Sequence, residues 1–211
     1  MTREVTHAAL VDELAALPPE PRRLVAIAGP PGSGKTTLAA ALVEGLAGRR
    51  AGGAALVPMD GYHFDDTVLE ARGQLARKGA PETFDVGGLA AMLVRLRESD
   101  EAEIAVPLFD RSIEIARAGA GIVPRAARVV VVEGNYLLLE RAPWSGLRAS
   151  FDLTVLIPTP EPVLRERLRR RWVGHGLDEA GIGRKLDGND LPNGRLVLEA
   201  SAAPDRVLVD G

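Results

Sequence analysis

An α/β fold built on a mainly parallel sheet is what this 211-residue sequence predicts, from three features. Short apolar runs, most of them unbroken, recur along the chain; stretches of helical composition separate them; and the second segment of the chain is an apolar run that passes through a glycine-rich turn into a helix. Strands covered on both faces need no polar alternation, and regular exchange of strand and helix places helices on both sides of the sheet. The expected architecture is a three-layer sandwich with five parallel strands, forming one domain over residues 1–211.

Each element follows from its residues. Residues 3–17 carry Val5, Ala8, Ala9, Val11, Leu14 and Leu17 near helical spacing, predicting an N-terminal helix within 1–20 that Pro18, Pro19 and Pro21 stop. The runs at 22–29, 54–58, 128–133, 152–157 and 206–209 are the five strands, with helices expected at 86–98, 160–172 and 190–201. Residues 103–125 alternate near Arg111 to Ile115 and suggest a small β-ribbon on one edge. No internal repeat or interdomain linker interrupts the chain.

Composition narrows the classes. With 46% hydrophobic residues, the chain can bury about 70% of its unfolded surface without staples. The absence of cysteine excludes disulfides, thiolate metal sites and a cysteine nucleophile. A net charge of −3 gives no global field for nucleic acid or an anionic membrane, so a small-molecule partner is expected. Charges scattered through the first residues and the lack of a long apolar run predict a soluble, cytoplasmic protein.

Residues 29–36 read GPPGSGKT, which satisfies GxxxxGK[ST] between an apolar strand and an Ala/Leu-rich helix. Glycines permit backbone N–H groups to converge on phosphate oxygens at a helix N-terminus. The nucleotide-binding candidates are Gly29, Pro30, Pro31, Gly32, Ser33, Gly34, Lys35, Thr36 and Thr37, with Lys35 reaching the β- and γ-phosphates of ATP and the Thr36 hydroxyl binding Mg²⁺. Glu133 ends the VVVV strand and Asp60 ends ALVPM, so both carboxylates are expected at the sheet edge where ligands collect. Glu133 is the second Mg²⁺ candidate, and Asp60 the candidate base that orients and deprotonates an acceptor hydroxyl.

Arg167, Arg170 and Arg171 stand at helical spacing, so two of them can share a face and act as catalytic cations on a transferring phosphate; the alternative is a solvated basic helix. Tyr62, Phe64, Phe84, Phe109 and Tyr136 flank the strand-end segments and either wall an acceptor pocket or plug the loop edge. His63 is expected to hydrogen-bond within its loop beside the acceptor. Asp65 and Asp66 are expected as solvated loop charges, with contact to the acceptor as the alternative, and Asn189 and Asn193 either contact nucleotide or cap helices, capping being the favoured reading. Only three lysines, Lys35, Lys78 and Lys185, stand among the 26 basic residues.

GPPGSGKT, MDGYHF, RKGAPETFD, VPLFDR and VVVVEGNYLL occur in an order that resembles the uridine kinase, phosphoribulokinase and pantothenate kinase superfamily. RERLRRRW at 165–172 extends the likeness into a helical lid over about 160–190. The chain looks most like the bacterial branch of fructose-transport-associated and nucleoside/nucleotide kinase-like small kinases. The resemblance implies a P-loop fold, ATP and Mg²⁺, roles for Asp60 and Glu133 matching those above, and an acceptor pocket walled by Arg77, Lys78, Phe84 and Asp85 with Asp110 and Arg111 beside them. It also makes a homodimer one expected assembly. The region after residue 172 departs from typical uridine kinases. The expected activity is transfer of the ATP γ-phosphoryl group to a hydroxyl of a small metabolite, such as a sugar, a nucleoside or a pantothenate-like alcohol. A regulatory P-loop ATPase switch is the alternative, although no NKxD guanine-reading motif occurs.

Overall fold

The computed structural model describes residues 2–18, 20–49 and 52–209. Pro19, one of the prolines expected to stop the first helix, lies outside these. Six parallel strands form one sheet: β1 (Arg3–Val5), β2 (Arg23–Ala28), β3 (Ala54–Pro58), β6 (Val129–Gly134), β7 (Leu153–Leu156) and β8 (Arg206–Leu208), in the order β1-β8-β7-β2-β6-β3. The antiparallel ribbon is β4 (Glu103–Asp110) with β5 (Ile115–Pro124).

The expectation of five strands is corrected to six. The extra strand is β1, whose residues read as the start of the N-terminal helix; Glu4 instead lies opposite Val207 of β8. Helix α1 spans His7–Ala15, after Thr6, whose hydroxyl accepts from Ala9 N at 3.3 Å. Three residues have no periodicity of their own, so Val5 joined the helical stripe by spacing alone.

The unbroken valines of β6 serve two cores. Val130 and Val132 face one side of the sheet, while Val129 and Val131 face the other. β2 divides likewise, Leu24, Ala26 and Ala28 against Val25 and Ile27. One side is covered by α1 through Leu10, Val11 and Leu14 and by α2 (Lys35–Ala47) through Leu38, Leu42 and Leu46, a stripe at intervals of four. The other is covered by α4 (Val86–Glu98) through Val86, Leu89, Leu93 and Leu96, capped by Asp85 accepting from Gly88 N at 2.8 Å. Each fully buried Val or Leu stabilises the fold by about 1.5–3 kcal/mol before entropy is counted.

Two further pieces frame the sheet's C-terminal edge. The ribbon packs beside β3 and the turn Met59–Tyr62, and Gly61 makes this approach feasible: a Cβ there would lie 2.3 Å from Pro107 O. Opposite it lies the lid, made of α5 (Glu161–Gly174), α6 (Glu179–Lys185), a π-helical turn over Leu186–Asp190, and α7 (Leu191–Ala200). Leu164, Leu168, Ile182, Leu186 and Leu191 give the lid a small core of its own. The short helix α3 (Asp66–Ala71) follows Asp65, which caps it through Thr67 N at 2.9 Å.

Candidate active site

The glycine-rich turn joins β2 to α2 with Gly32 at φ 80° and Gly34 at φ 95°, backbone that a residue with a side chain rarely adopts. α2 therefore begins at Lys35 with its first N–H groups directed at the turn's concavity, an anion site by dipole and by unpaired donors. Lys35 is buried, and its Nζ donates to Pro30 O at 3.0 Å. Pro31, Gly32, Lys35 and Thr36 line a cavity of about 290 Å³, whereas Gly29, Pro30 and Ser33 are buried. Thr37 is exposed on α2 and outside the wall.

Strand register brings the two predicted carboxylates together. Pro58 of β3 pairs with Glu133 of β6, and Asp60 follows two residues later, so both reach the same sheet edge. Glu133 is buried, with Oε1 accepting from Thr36 Oγ1 at 3.2 Å. Burial pushes the Glu133 carboxyl up and the Lys35 ammonium down, and their opposite charges partly offset this. Thr36 and Glu133 thus present two hard oxygen donors at the mouth of a phosphate turn, a set that fits Mg²⁺, which takes one or two protein oxygens and completes its shell with water and phosphate. Asp60 Oδ2 accepts from Arg111 Nη2 of the ribbon turn.

The acceptor-side candidates separate on inspection. His63, Lys78, Phe84 and Arg111 line the cavity. His63 Nδ1 lies 2.8 Å from Asp60 O, and its ring stands 4.0 Å from that of Phe84 and 4.7 Å from that of Phe109. Burial lowers the His63 pKa, against the pull of Asp60. Lys78 Nζ donates to Asp66 Oδ1 at 2.6 Å and to Glu114 O at 2.7 Å.

Tyr62 turns the other way, into the core, where its hydroxyl is buried without a partner and burial raises its pKa. The alternation that exposes His63 to the cavity sends Tyr62 inward. Arg77 pairs with Glu82, and Asp110 with Ser112 and Arg117; neither lines the cavity. Tyr136 is a core plug whose hydroxyl donates to Gly79 O at 2.7 Å, holding the 78–79 segment from behind. Of the flanking aromatics, Phe84 and Phe109 line the wall, Tyr62 and Tyr136 fill the core, and Phe64 lies under the Arg72 guanidinium at 4.2 Å.

The three lid arginines also part company. Arg167 and Arg171, four residues apart, share a face: Arg167 Nη1 donates to Ser33 O at 3.2 Å, and Arg171 lines the cavity. Arg170 points outward to Glu166 at 2.7 Å. Arg171 keeps solvent access, yet the chain around it and the charge of Arg111 disfavour its charged form.

The capping expectation for Asn189 and Asn193 is corrected. Asn189 Nδ2 donates to Lys78 O at 3.0 Å, Asn193 Nδ2 donates to Asn189 Oδ1 at 3.0 Å, and both line the cavity. The π-helical turn, a form that recurs at functional sites, rotates Asn189 and Asp190 inward. Trp172, Asp190, Asn135 and Glu114 also line the wall without having been singled out from sequence. Trp172 closes the arginine run, and an indole closing a basic run was the available signal; its Nε1 donates to Asp190 Oδ2 at 2.7 Å.

A phosphate-binding turn whose lysine and threonine face strand-tip carboxylates, under a helical lid, is the working apparatus of a P-loop kinase. The model of the Phosphoribulokinase / Uridine kinase family matches residues 24–187, and the chain belongs to that family. It is 33% identical over 199 residues to a Schizosaccharomyces pombe protein named "putative uridine kinase", covering 89% of this chain and 83% of that one. It is 36% identical over 200 residues to the Escherichia coli protein YggC, covering 92% and 82%. Among solved structures, one from Silicibacter sp. TM1040 titled "putative fructose transport system kinase" is 42% identical with a TM-score of 0.89, covering 96% of this chain and 98% of that one. The chain is accordingly an ATP-dependent kinase acting on a small metabolite. Among the described residues no helix is long and apolar enough to cross a membrane.

Proposed function

We propose that this kinase transfers the γ-phosphoryl group of ATP to a hydroxyl of its metabolite, with Asp60 as the base. The carrying observation is the pairing of Pro58 with Glu133, which sets the candidate base and the metal-side carboxylate on adjacent strand tips in one cavity with Lys35. The amides opening α2 and the Lys35 ammonium cradle the β- and γ-phosphates. Mg²⁺, when bound through Thr36 and Glu133, neutralises charge developing on the phosphate oxygens. Asp60 accepts the acceptor's hydroxyl proton as the oxygen attacks phosphorus in line, and the bond to the ADP oxygen breaks. Arg171, from the lid, meets the charge on the transferring group, and Arg167 holds the phosphate turn by its carbonyls. The wall of Phe84, Phe109 and His63 seats the acceptor's carbon skeleton, and Lys78, Asn189 and Asn193 surround it.

Acceptors to be tried follow from the relatives' names and from the resembled superfamily: fructose and nucleosides from the former, pantothenate from the latter. ADP formation should be slow with MgATP alone and rise at least about tenfold with the right acceptor. Identical rates with every acceptor would instead identify a nucleotide-hydrolysing switch.

A further inference from the structure

We infer that the acceptor carries an anionic group of its own, a carboxylate or a phosphate, and that Arg111 is the residue selecting for it; this rests on the phosphotransfer reading of the same cavity. Arg111 comes from the ribbon turn, not from the phosphate loop or the lid. Its one recorded hydrogen bond among the described residues goes to Asp60 Oδ2, while a guanidinium offers five N–H donors. Its side chain is 58% exposed and lines the cavity, so the guanidinium is accessible to a ligand there. With Oδ2 on Arg111, Asp60 Oδ1 is left to take a hydroxyl. An acceptor with an anion close to its reacting hydroxyl would bridge the two residues, its anion on Arg111 and its hydroxyl on Asp60.

The surrounding charge favours such a ligand. Apart from Lys35 and the metal-side carboxylate Glu133, the cavity is lined by four cations, Lys78, Arg111, Arg171 and Lys185, against the three carboxylates Asp60, Glu114 and Asp190, although the whole chain is acidic at −3. Arg171 and Lys185 have no carboxylate within ion-pair distance among the described residues; Lys185 lies 5.4 Å from the Trp172 ring centroid instead. Elsewhere arginines make nearly every ion pair, yet all three lysines of the chain line this one cavity. A neutral polyol would leave the free donors of Arg111 and the Lys185 ammonium without an anion, whereas a carboxylate or phosphate meets them with charge-assisted hydrogen bonds.

The turn that presents Arg111 is held in place. Glu114 adopts φ 54°, the single positive φ outside glycine among the described residues, and Lys78 Nζ donates to its carbonyl at 2.7 Å. Lys78 and Arg111 also lie 5.2 and 5.6 Å from the centroid of the Phe109 ring. Lys78 is therefore a positioning residue for the ribbon turn as well as part of the cavity's charge.

The test is ADP release by wild type and Arg111→Gln with three sets of acceptors: fructose and uridine, D-glycerate and glycolate, and glycerol 3-phosphate. Wild type should prefer one charged set by about 100-fold in kcat/KM, and which set wins separates carboxylate from phosphate. Methyl esterification of a preferred carboxylate should abolish that preference. Arg111→Gln should raise the KM of the charged acceptor by about 10–100-fold, leave the KM for ATP unchanged, and narrow discrimination against neutral acceptors. Equal melting temperatures would exclude misfolding at this exposed position. Turnover of neutral acceptors at rates matching the charged ones, or parallel changes in both KM values, overturns the inference while leaving phosphotransfer intact. If protein that binds MgATP phosphorylates none of them, the phosphotransfer reading fails, and the inference with it.

Discussion

Asp60→Asn tests the proposed chemistry most directly. The amide keeps the side chain's shape, but it has one acceptor oxygen where the carboxylate has two. Arg111 Nη2 donates to the carboxylate now, so the amide oxygen turns toward the guanidinium and the NH₂ toward the acceptor hydroxyl. A donor then stands where an acceptor is required, and neither orientation nor proton removal survives. Loss of a positioned general base costs about 10²–10⁴-fold in rate, or about 3–5 kcal/mol of transition-state stabilisation. The fold should hardly notice. The Arg111 side chain is 58% exposed, so the pair contributes at most about 1 kcal/mol, and a chain of this size would lose about 2–4 °C in Tm. Coupled ADP release with saturating acceptor gives kcat, and titration calorimetry with MgATP gives the affinity, which should remain within about threefold. A kcat within tenfold of wild type in a folded variant would remove Asp60 as the base.

Glu133→Gln should change the pH dependence of stability in the nucleotide-free protein. Burial raises the Glu133 pKa in the folded state above its unfolded value, so the folded chain holds the extra proton as pH rises past the ordinary glutamate range. Wild type therefore loses this contribution as pH climbs from about 4.3 through the folded pKa. The stability difference between wild type and variant, from urea melts across pH 4–8, should fall with pH; a flat difference contradicts the assignment. Gly61→Ala would place a methyl group 2.3 Å from Pro107 O, forcing the ribbon from the Met59–Tyr62 turn at a cost of about 1–3 kcal/mol. Its Tm should drop by several degrees and its acceptor KM should rise with little change for ATP, while Gly146→Ala, which has no atom within 4 Å of the new methyl, serves as the neutral comparison.

The nucleotide half of the site was legible because its chemistry is local. GPPGSGKT compresses the glycines, the lysine and the hydroxyl into eight consecutive residues, and the strand before and helix after it declare themselves by composition. Glu133 and Asp60 were legible for a related reason: each ends an apolar run, and parallel strands deliver their C-terminal ends to one edge. The acceptor half was less legible. Adjacent residues in MDGYHF diverge, Tyr62 into the core and His63 into the cavity, and only packing against Phe84 and Phe109 shows which is which. Of the three arginines singled out in the basic run, one serves the cavity, one the loop carbonyls and one solvent, and the rotation of α5 on Leu164 and Leu168 assigns them.

The sequence by itself determined the parallel α/β plan, the ribbon, the phosphate turn and the two strand-tip carboxylates, because these follow from periodicity and contiguous motifs. Tertiary structure decided the sixth strand, the inward π-helical turn with Asn189 and Asp190, and the meeting of Arg111 with Asp60 across 51 positions of chain. Those contacts join segments with no mutual signature, and they exist only once the two cores have fixed where ribbon and lid must lie.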